Sequence, residues 1–326
     1  MDAQLNSQTV FNRNTKLDSV KAVLIFGVVL AHTLHSREPG MLNTINMVVK
    51  TFLCSFLMPL FIIVSGYFFN TKCSKEKLFK KVIEIMASYL VFQFIRLALA
   101  GKYSIVDLLS PQYTLWYLLC LVYWRVAVYF LSKRFSIGIV LCLSIMISLG
   151  SGFIPINILS FQRACSFFPF FVFGCCCRSH NILYKIDKTA ASLSIVSLLT
   201  AIVICTMAKL YGAINLLGVF MGKTLYANDI DIVIRGGWLV ISLVISLSVY
   251  RLIPDRNILA KYGSCTLVIY LLHSFFTQQF GKLINHHILY NDLITCIVFS
   301  LVVFLFCAYL SRFRIIKILT QPITFK

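Results

Sequence analysis

Ten apolar runs of roughly 15–22 residues, separated by short polar stretches, leave this chain little choice of fold. A bilayer's hydrocarbon core is about 30 Å thick and takes about 20 helical residues to cross. Inside it each backbone N–H and C=O must be satisfied within the segment, which favours helices. The runs lie at 20–36, 48–69, 82–100, 113–131, 136–154, 164–178, 190–209, 232–253, 264–281 and 293–311. Only 13% of the 326 residues are charged and 59% are hydrophobic. A soluble domain carries about 25% charged residues, so this composition does not make a water-facing surface. The expected fold is all-α: a polytopic membrane protein of about ten transmembrane helices. Its first residues are polar and its first run is too long for a cleaved signal, so that run is expected to stay as a span.

Orientation follows from where the positive charges fall. With the N terminus in the cytoplasm, 20 of the 30 Lys and Arg lie in inner segments, seven in outer segments and three, Arg96, Arg125 and Arg235, within spans. Both termini are therefore expected to be cytoplasmic, in the cell's inner (cytoplasmic) membrane. The organisation reads as a cytoplasmic segment 1–19, a membrane domain 20–311 and a basic cytoplasmic tail 312–326. Loops 37–47 and 210–231 are long enough to cover the outer mouth.

The net charge of +19 is accounted for by this topology and by attraction to anionic lipid, and it calls for no nucleic-acid partner. The loop from Lys72 to Lys81 is denser in charge than orientation requires. It faces lipid or docks a phosphate-rich ligand through Lys72, Lys75 and Lys77. There is no phosphate-binding glycine loop and no dinucleotide fingerprint, so nucleotide hydrolysis and hydride transfer lack support. The twelve cysteines lie mostly within apolar runs and show no zinc-site spacing, so no metal is expected. Cys175, Cys176 and Cys177 read as helix packing, with lipidation the lesser alternative. His286–His287 reads as a solvated outer loop.

Ionisable residues inside a span are costly and are functional candidates by default. Lys21 and His32 are eleven positions apart in the first run, which returns a helix to within about 20° of the same face and separates them by about 16 Å. Asp18 and His35 share that stripe. Spacing alone supports two readings: a functional stripe, or a snorkelling lysine with a satisfied buried histidine. Arg125 falls in the inner half of the fourth run. Arg96, Arg163 and Arg235 fall toward the outer side with Asp229 and Asp231, suited to a hydroxyl-rich ligand or to internal pairing. Glu84 is within helical reach of Lys80 and Lys81. His273 sits mid-span, Trp116 suits sugar stacking or a membrane interface, and Ser65-Gly66-Tyr67 suits close helix packing.

Five blocks then appear in order. They are Lys16-Leu17-Asp18 with Lys21-Ala22 and His32; Phe56-Leu57-Met58-Pro59-Leu60-Phe61 with Ser65-Gly66-Tyr67; Tyr113-Thr114-Leu115-Trp116-Tyr117-Leu118; Arg163 with Phe168-Pro169-Phe170-Phe171 and Gly174; and Gly263, Leu267 and Ile269-Tyr270-Leu271-Leu272-His273. Together they resemble the acyltransferase-3 family of integral membrane O-acyltransferases, and most closely its fucose 4-O-acetylase-related branch. Two departures stand out. Lys21 occupies a position where arginine is commoner, and Leu57 one where relatives of this branch often carry histidine.

The resemblance implies transfer of an acyl group from acetyl-CoA or another acyl-CoA to a hydroxyl of a cell-surface glycan or its lipid-linked precursor. A hydroxyl needs a general base near neutral pH, and histidine, with an unperturbed pKa near 6.5, suits that task. On this reading His32 and Lys21 form the catalytic pair, with His32 as base or, alternatively, as the carrier of an acyl-histidine relay. Asp18, Arg163, Arg96, Arg235, Trp116 and His273 bind the acceptor, while Arg125, Lys72, Lys75 and Lys77 bind the donor. The rival classes are a glycan-precursor transporter or flippase, and a non-catalytic membrane interaction module. The first lacks the internal repeat that many transporters show.

Overall fold

The computed structural model describes residues 14–35, 44–102, 104–155, 158–210, 222, 224–284 and 293–323. These residues form an all-helical bundle, 82% helix and without strands. Its helices are α1 (Thr15–His35), α2 (Thr44–Tyr67), α3 (Lys75–Ala100), α4 (Ile105–Leu109), α5 (Trp116–Leu131), α6 (Ile137–Gly150) and α7 (Phe161–Ser179). There follow α8 (Ile182–Asp187), α9 (Ala191–Leu210), α10 (Ile230–Leu252), α11 (Asn257–Gly263), α12 (Thr266–Ile284), α13 (Leu293–Leu310) and α14 (Arg314–Thr320). His286–His287 and most of the loops 37–47 and 210–231 lie outside the described residues, as does the side chain of His35.

Each of the ten apolar runs coincides with helix. Among the described residues six helices are long and apolar enough to cross a membrane, or seven if α11 and α12, bent by 72° at a short break, form one span. Segments 116–131, 137–153 and 191–207 are apolar but shorter than the roughly 20 residues a crossing requires. The outer surface is what lipid demands. Leu199, Val203, Val298, Leu301 and Val302 are exposed, while Ser144, Ser148, Ser166, Ser242 and Ser300 are buried.

Local chemistry sets several helix ends. The Asn14 side chain accepts from the Leu17 N–H at 3.0 Å at the start of α1, and Ser74 accepts from the Lys77 N–H at 3.3 Å to cap α3. Gly101, at φ +63°, closes α3 in the left-handed conformation that glycine tolerates best. The turn after α10 clamps the start of α1: Ser19 Oγ donates to the Arg256 carbonyl at 3.0 Å, and Lys16 Nζ donates to the Ile253 carbonyl. Residues 254–263 lie outside the ten apolar runs, yet 257–263 form α11, whose Gly263 lies against the Asp18 backbone. The expected basic tail likewise begins as helix. The Thr320 carbonyl at the end of α14 accepts from Ser88 Oγ of α3 at 2.8 Å.

Helix α1 is the axis of the bundle. Its apolar window is 72% buried, against 33% for α13, and it packs on α2, α11, α12 and α13. The tightest helix pair is α2 with α7. A Cβ at Gly66 would collide with the Phe171 carbonyl, and one at Gly174 with the Ile63 carbonyl. Cys175 Sγ reaches the Gly66 carbonyl at 3.4 Å, Cys176 Sγ lies 4.0 Å from the Ile137 carbonyl of α6, and all three of Cys175, Cys176 and Cys177 are buried. Overpacking costs about 1–3 kcal/mol, so Gly66→Ala is expected to lower the detergent-solubilised protein's resistance to heat-induced aggregation. Gly138, with open space where a Cβ would stand, should accept alanine without loss. Equal stability of the two variants would refute the close-approach account.

Candidate active site

Apart from Arg235, the candidate residues separate into two groups at opposite ends of α1. His32 lies near its C-terminal end, partly buried, and Lys21 about 16 Å away along the axis.

Around His32 the helices bring together a chain of rings. The His32 and His273 ring centroids are 5.2 Å apart, His273 and Tyr270 6.2 Å, and Tyr270 and Tyr117 5.6 Å. Tyr117 leads to Trp116 at 6.3 Å, and the Arg163 guanidinium stands 5.3 Å from the Trp116 ring. The contributing helices are α1, α12, α5 and α7. Polar tips within the chain are mostly satisfied. Tyr117 Oη and Ser65 Oγ share a hydrogen bond of 2.6 Å, Tyr270 Oη donates to the Thr114 carbonyl, and His273 Nδ1 lies 2.9 Å from the Ile269 carbonyl. Arg96 approaches from α3. Its Nη2 donates to Ser274 Oγ, and its guanidinium stacks 4.0 Å from Phe275 and 5.0 Å from Tyr113. Thus His32, His273, Trp116, Arg163 and Arg96 meet in one region built largely of aromatic walls. Among the described residues no group of three metal-ligating side chains occurs.

At the other end Lys21 Nζ forms an ion pair of 2.6 Å with Asp18 and stands 5.2 Å from the Phe68 ring. Arg125 lies 5.6 Å from the neighbouring Phe69 ring, and its Nε is buried without a partner. The two cations therefore flank the Phe68–Phe69 pair, from which the chain enters the basic loop. Lys72, Lys75 and Lys77 are exposed there, and Lys81 pairs with Glu84 at 2.8 Å, one of the two partners expected from spacing. Lys16 is held by Asp187 at 3.4 Å, and Asp187 also accepts from Tyr250 Oη at 2.9 Å.

Arg235 stands apart. It is 0% exposed, and its Nη1 donates to the Ser148 carbonyl at 3.1 Å, Ser151 Oγ at 2.6 Å and Ser166 Oγ at 3.1 Å. Its guanidinium lies 4.8 Å from the Tyr226 ring. Tyr226 donates through its hydroxyl to the Leu149 carbonyl at 2.7 Å, and Gly152 leaves room for its ring. Asp231 accepts from the Ala227 and Asn228 N–H groups at 2.7 and 3.3 Å. Arg235 thus fastens segment 224–231 to α6, α7 and the connection between them, while Asp231 braces the turn at 227–228 locally. The partners of Arg235 are single serines and one tyrosine dispersed over several segments, a signal that periodicity does not carry. Tyr117 and Tyr270, by contrast, sit inside the motif blocks and were open to selection as lining residues.

A family model described as an acyltransferase domain, that of the acyltransferase-3 family, matches residues 14–312. No curated protein and no solved structure matches the chain.

Arg235 and Arg163 should respond differently to the same change. Lysine keeps the charge but loses the guanidinium fork, and hydrogen bonds to charged groups are worth about 1.5–3 kcal/mol. Arg235→Lys is therefore expected to destabilise the protein by about 2 kcal/mol. Arg163→Lys, over Trp116, should cost about 1 kcal/mol or less. Heat-resistance curves in detergent test this, and a less stable Arg163 variant would reverse the assignment.

Proposed function

We propose a transfer reaction for this chain from the premise that it belongs to the acyltransferase-3 family. It is a multi-pass membrane acyltransferase. Our finer reading is an O-acetyltransferase of the fucose 4-O-acetylase-related branch, moving an acyl group from acetyl-CoA or another acyl-CoA to a hydroxyl of a cell-surface glycan, such as an exopolysaccharide, or of its lipid-linked precursor. The observation that carries this reading is the chain of rings leading from His32 through His273, Tyr270 and Tyr117 to Trp116 and Arg163, with Arg96 beside it, at the end of α1 opposite Lys21.

In this reading the chain crosses the inner membrane ten times, the shorter helices α5, α6 and α9 completing their crossings with flanking residues. On the same reading both termini face the cytoplasm, and the chain divides into 1–19, 20–311 and 312–326. A coenzyme A thioester carries its phosphates and its acyl group at opposite ends of an extended arm. Lys21 and Arg125, with the exposed Lys72, Lys75 and Lys77, take the phosphates from the cytoplasmic side. The thioester then reaches the His32 end. There the acceptor sugar stacks on Trp116, and Arg163 and Arg96 donate to its oxygens. Arg235 and Asp18 support the site through the segments they hold.

The step needs one base and one place for charge. His32 takes the proton of the acceptor hydroxyl as its oxygen attacks the thioester carbonyl carbon. A C–O bond forms, the C–S bond breaks as the tetrahedral intermediate collapses, and the departing sulfur takes the proton back from His32. Arg163 and Arg96 are the cations placed to stabilise the developing oxyanion.

The central test uses membranes containing the protein, radiolabelled acetyl-CoA and extracted surface glycan. Label is expected to enter glycan with wild type and to fall by about 100-fold or more with His32→Ala at matched expression, the scale of losing a general base. Undiminished transfer by the variant would sink the assignment, and loss of the whole glycan in a deletion strain would favour transport. Orientation is tested separately. A fluorescent protein that folds only in the cytoplasm should fluoresce when fused after residue 326, and a phosphatase active only outside should work when inserted after Gly101. The opposite pattern would invert the topology and move the donor side away from Lys21.

A further inference from the structure

His273 offers a strong hydrogen-bonding atom for which the transfer step above has no use. Its ring is wholly buried in α12, and Nδ1 lies 2.9 Å from the Ile269 carbonyl, one helical turn back. A carbonyl oxygen only accepts, so Nδ1 carries the proton, and Nε2 of the neutral ring offers a lone pair. That Nε2 is buried and has no hydrogen-bond partner among the described residues. Buried acceptors left in this way are rare and call for an explanation.

The surroundings narrow it. The Tyr270 hydroxyl is committed to the Thr114 carbonyl, that of Tyr117 to Ser65, and Arg96 Nη2 to Ser274 Oγ, while among the described residues Arg96 Nε and Thr114 Oγ1 are likewise buried without hydrogen-bond partners. The adjacent ring is His32, its centroid 5.2 Å away and its plane tilted by 48°. Hydrogen bonds between catalytic groups are often loose in the empty enzyme and tighten when substrate binds.

Resting on the transferase reading above, we infer that His273 is the positioning residue for His32: its Nε2 accepts an N–H from His32 when the site is loaded. That bond selects one tautomer of His32 and turns its other nitrogen, with a free lone pair, toward the acceptor hydroxyl. The hydroxyl proton comes on and off this second nitrogen, while the N–H facing His273 stays in place, so His273 neither gains nor loses a proton. When His32 becomes an imidazolium the bond to Nε2 becomes charge-assisted and strengthens. Its effect therefore falls on the transition state, and on kcat rather than KM.

Two substitutions separate this role from packing. His273→Leu fills the space and removes the acceptor, whereas His273→Gln keeps an acceptor oxygen at a similar reach along the side chain. With radiolabelled acetyl-CoA and extracted surface glycan, His273→Leu that remains monodisperse in detergent should lose on the order of 10- to 100-fold in kcat, with KM for acetyl-CoA within about threefold. His273→Gln should recover about tenfold of that loss. A folded Leu variant at the wild-type kcat would overturn the inference, and so would Leu and Gln variants equally slow. The parallel His32→Ala sample distinguishes the two claims. If it transfers normally, the base assignment fails and the positioning role goes with it; if it is dead while His273→Leu is active, only the positioning role fails.

Discussion

Backbone-to-backbone approach at glycines is the contact on which the rest of this structure depends. Lipid tails are as apolar as leucine side chains, so the hydrophobic effect does little to hold one span against another, and van der Waals contact must do it. Gly66 and Gly174 let α2 and α7 touch through their carbonyls, and Gly263 lets α11 lie on the backbone of α1 at Asp18. With its neighbours drawn this close, α1 is buried along most of its length. Only such a helix can present ionisable groups at both ends to protein instead of lipid, where each would be expensive.

The interior of α1 then works as a spacer. Leu24, Ile25, Val28 and Val29 are all nearly or wholly buried between Lys21 and His32, and they keep the cationic end and the histidine end apart in a dry stretch of protein. On the function proposed above, Arg125 and the exposed Lys72, Lys75 and Lys77 draw phosphates to the first end, beside the Lys21–Asp18 pair. The tilted and edge-on rings and the arginines of the second end would then take the sugar and the reacting carbonyl. Electrostatic interactions are stronger where water is excluded, so on that proposal the separation lets one site attract a polyanion without surrounding the proposed base with its charge.

How much of this was legible in the sequence depended on the range of each interaction. Helix positions could be read because apolar runs and caps such as Ser74 and Gly101 are local. The shared face of Lys21 and His32 followed from helical geometry alone, and the Lys81–Glu84 pair from three-residue spacing. The reversal at α11 was hidden, since residues 254–263 are short and polar enough to pass for loop. Nor could the commitment of Arg235 to serines on α6 and α7 be read, because single serines carry no periodic signal and their meeting depends on helix packing. The same limit applies to His273: its place in a motif was visible, but its alignment with His32 exists only once α12 has been laid along α1.

That alignment has a mechanical origin. Helices α11 and α12 meet at a bend of 72°, and together they brace α1 at two levels. Gly263 seats the first helix on Asp18, and the second carries His273 up to His32. The clamp on Ser19 and Lys16 by the Arg256 and Ile253 carbonyls fixes the same pair of helices from the cytoplasmic end as we orient it. The spacing between the two imidazoles is therefore set by packing on the residues around Asp18, many ångströms from either ring. A side chain added at Gly263 would push α11 off α1 and carry α12 with it. Interiors packed this tightly transmit such shifts instead of absorbing them. The ion-paired end of α1 and its histidine end are consequently one mechanical unit, although no side chain at one end touches the other.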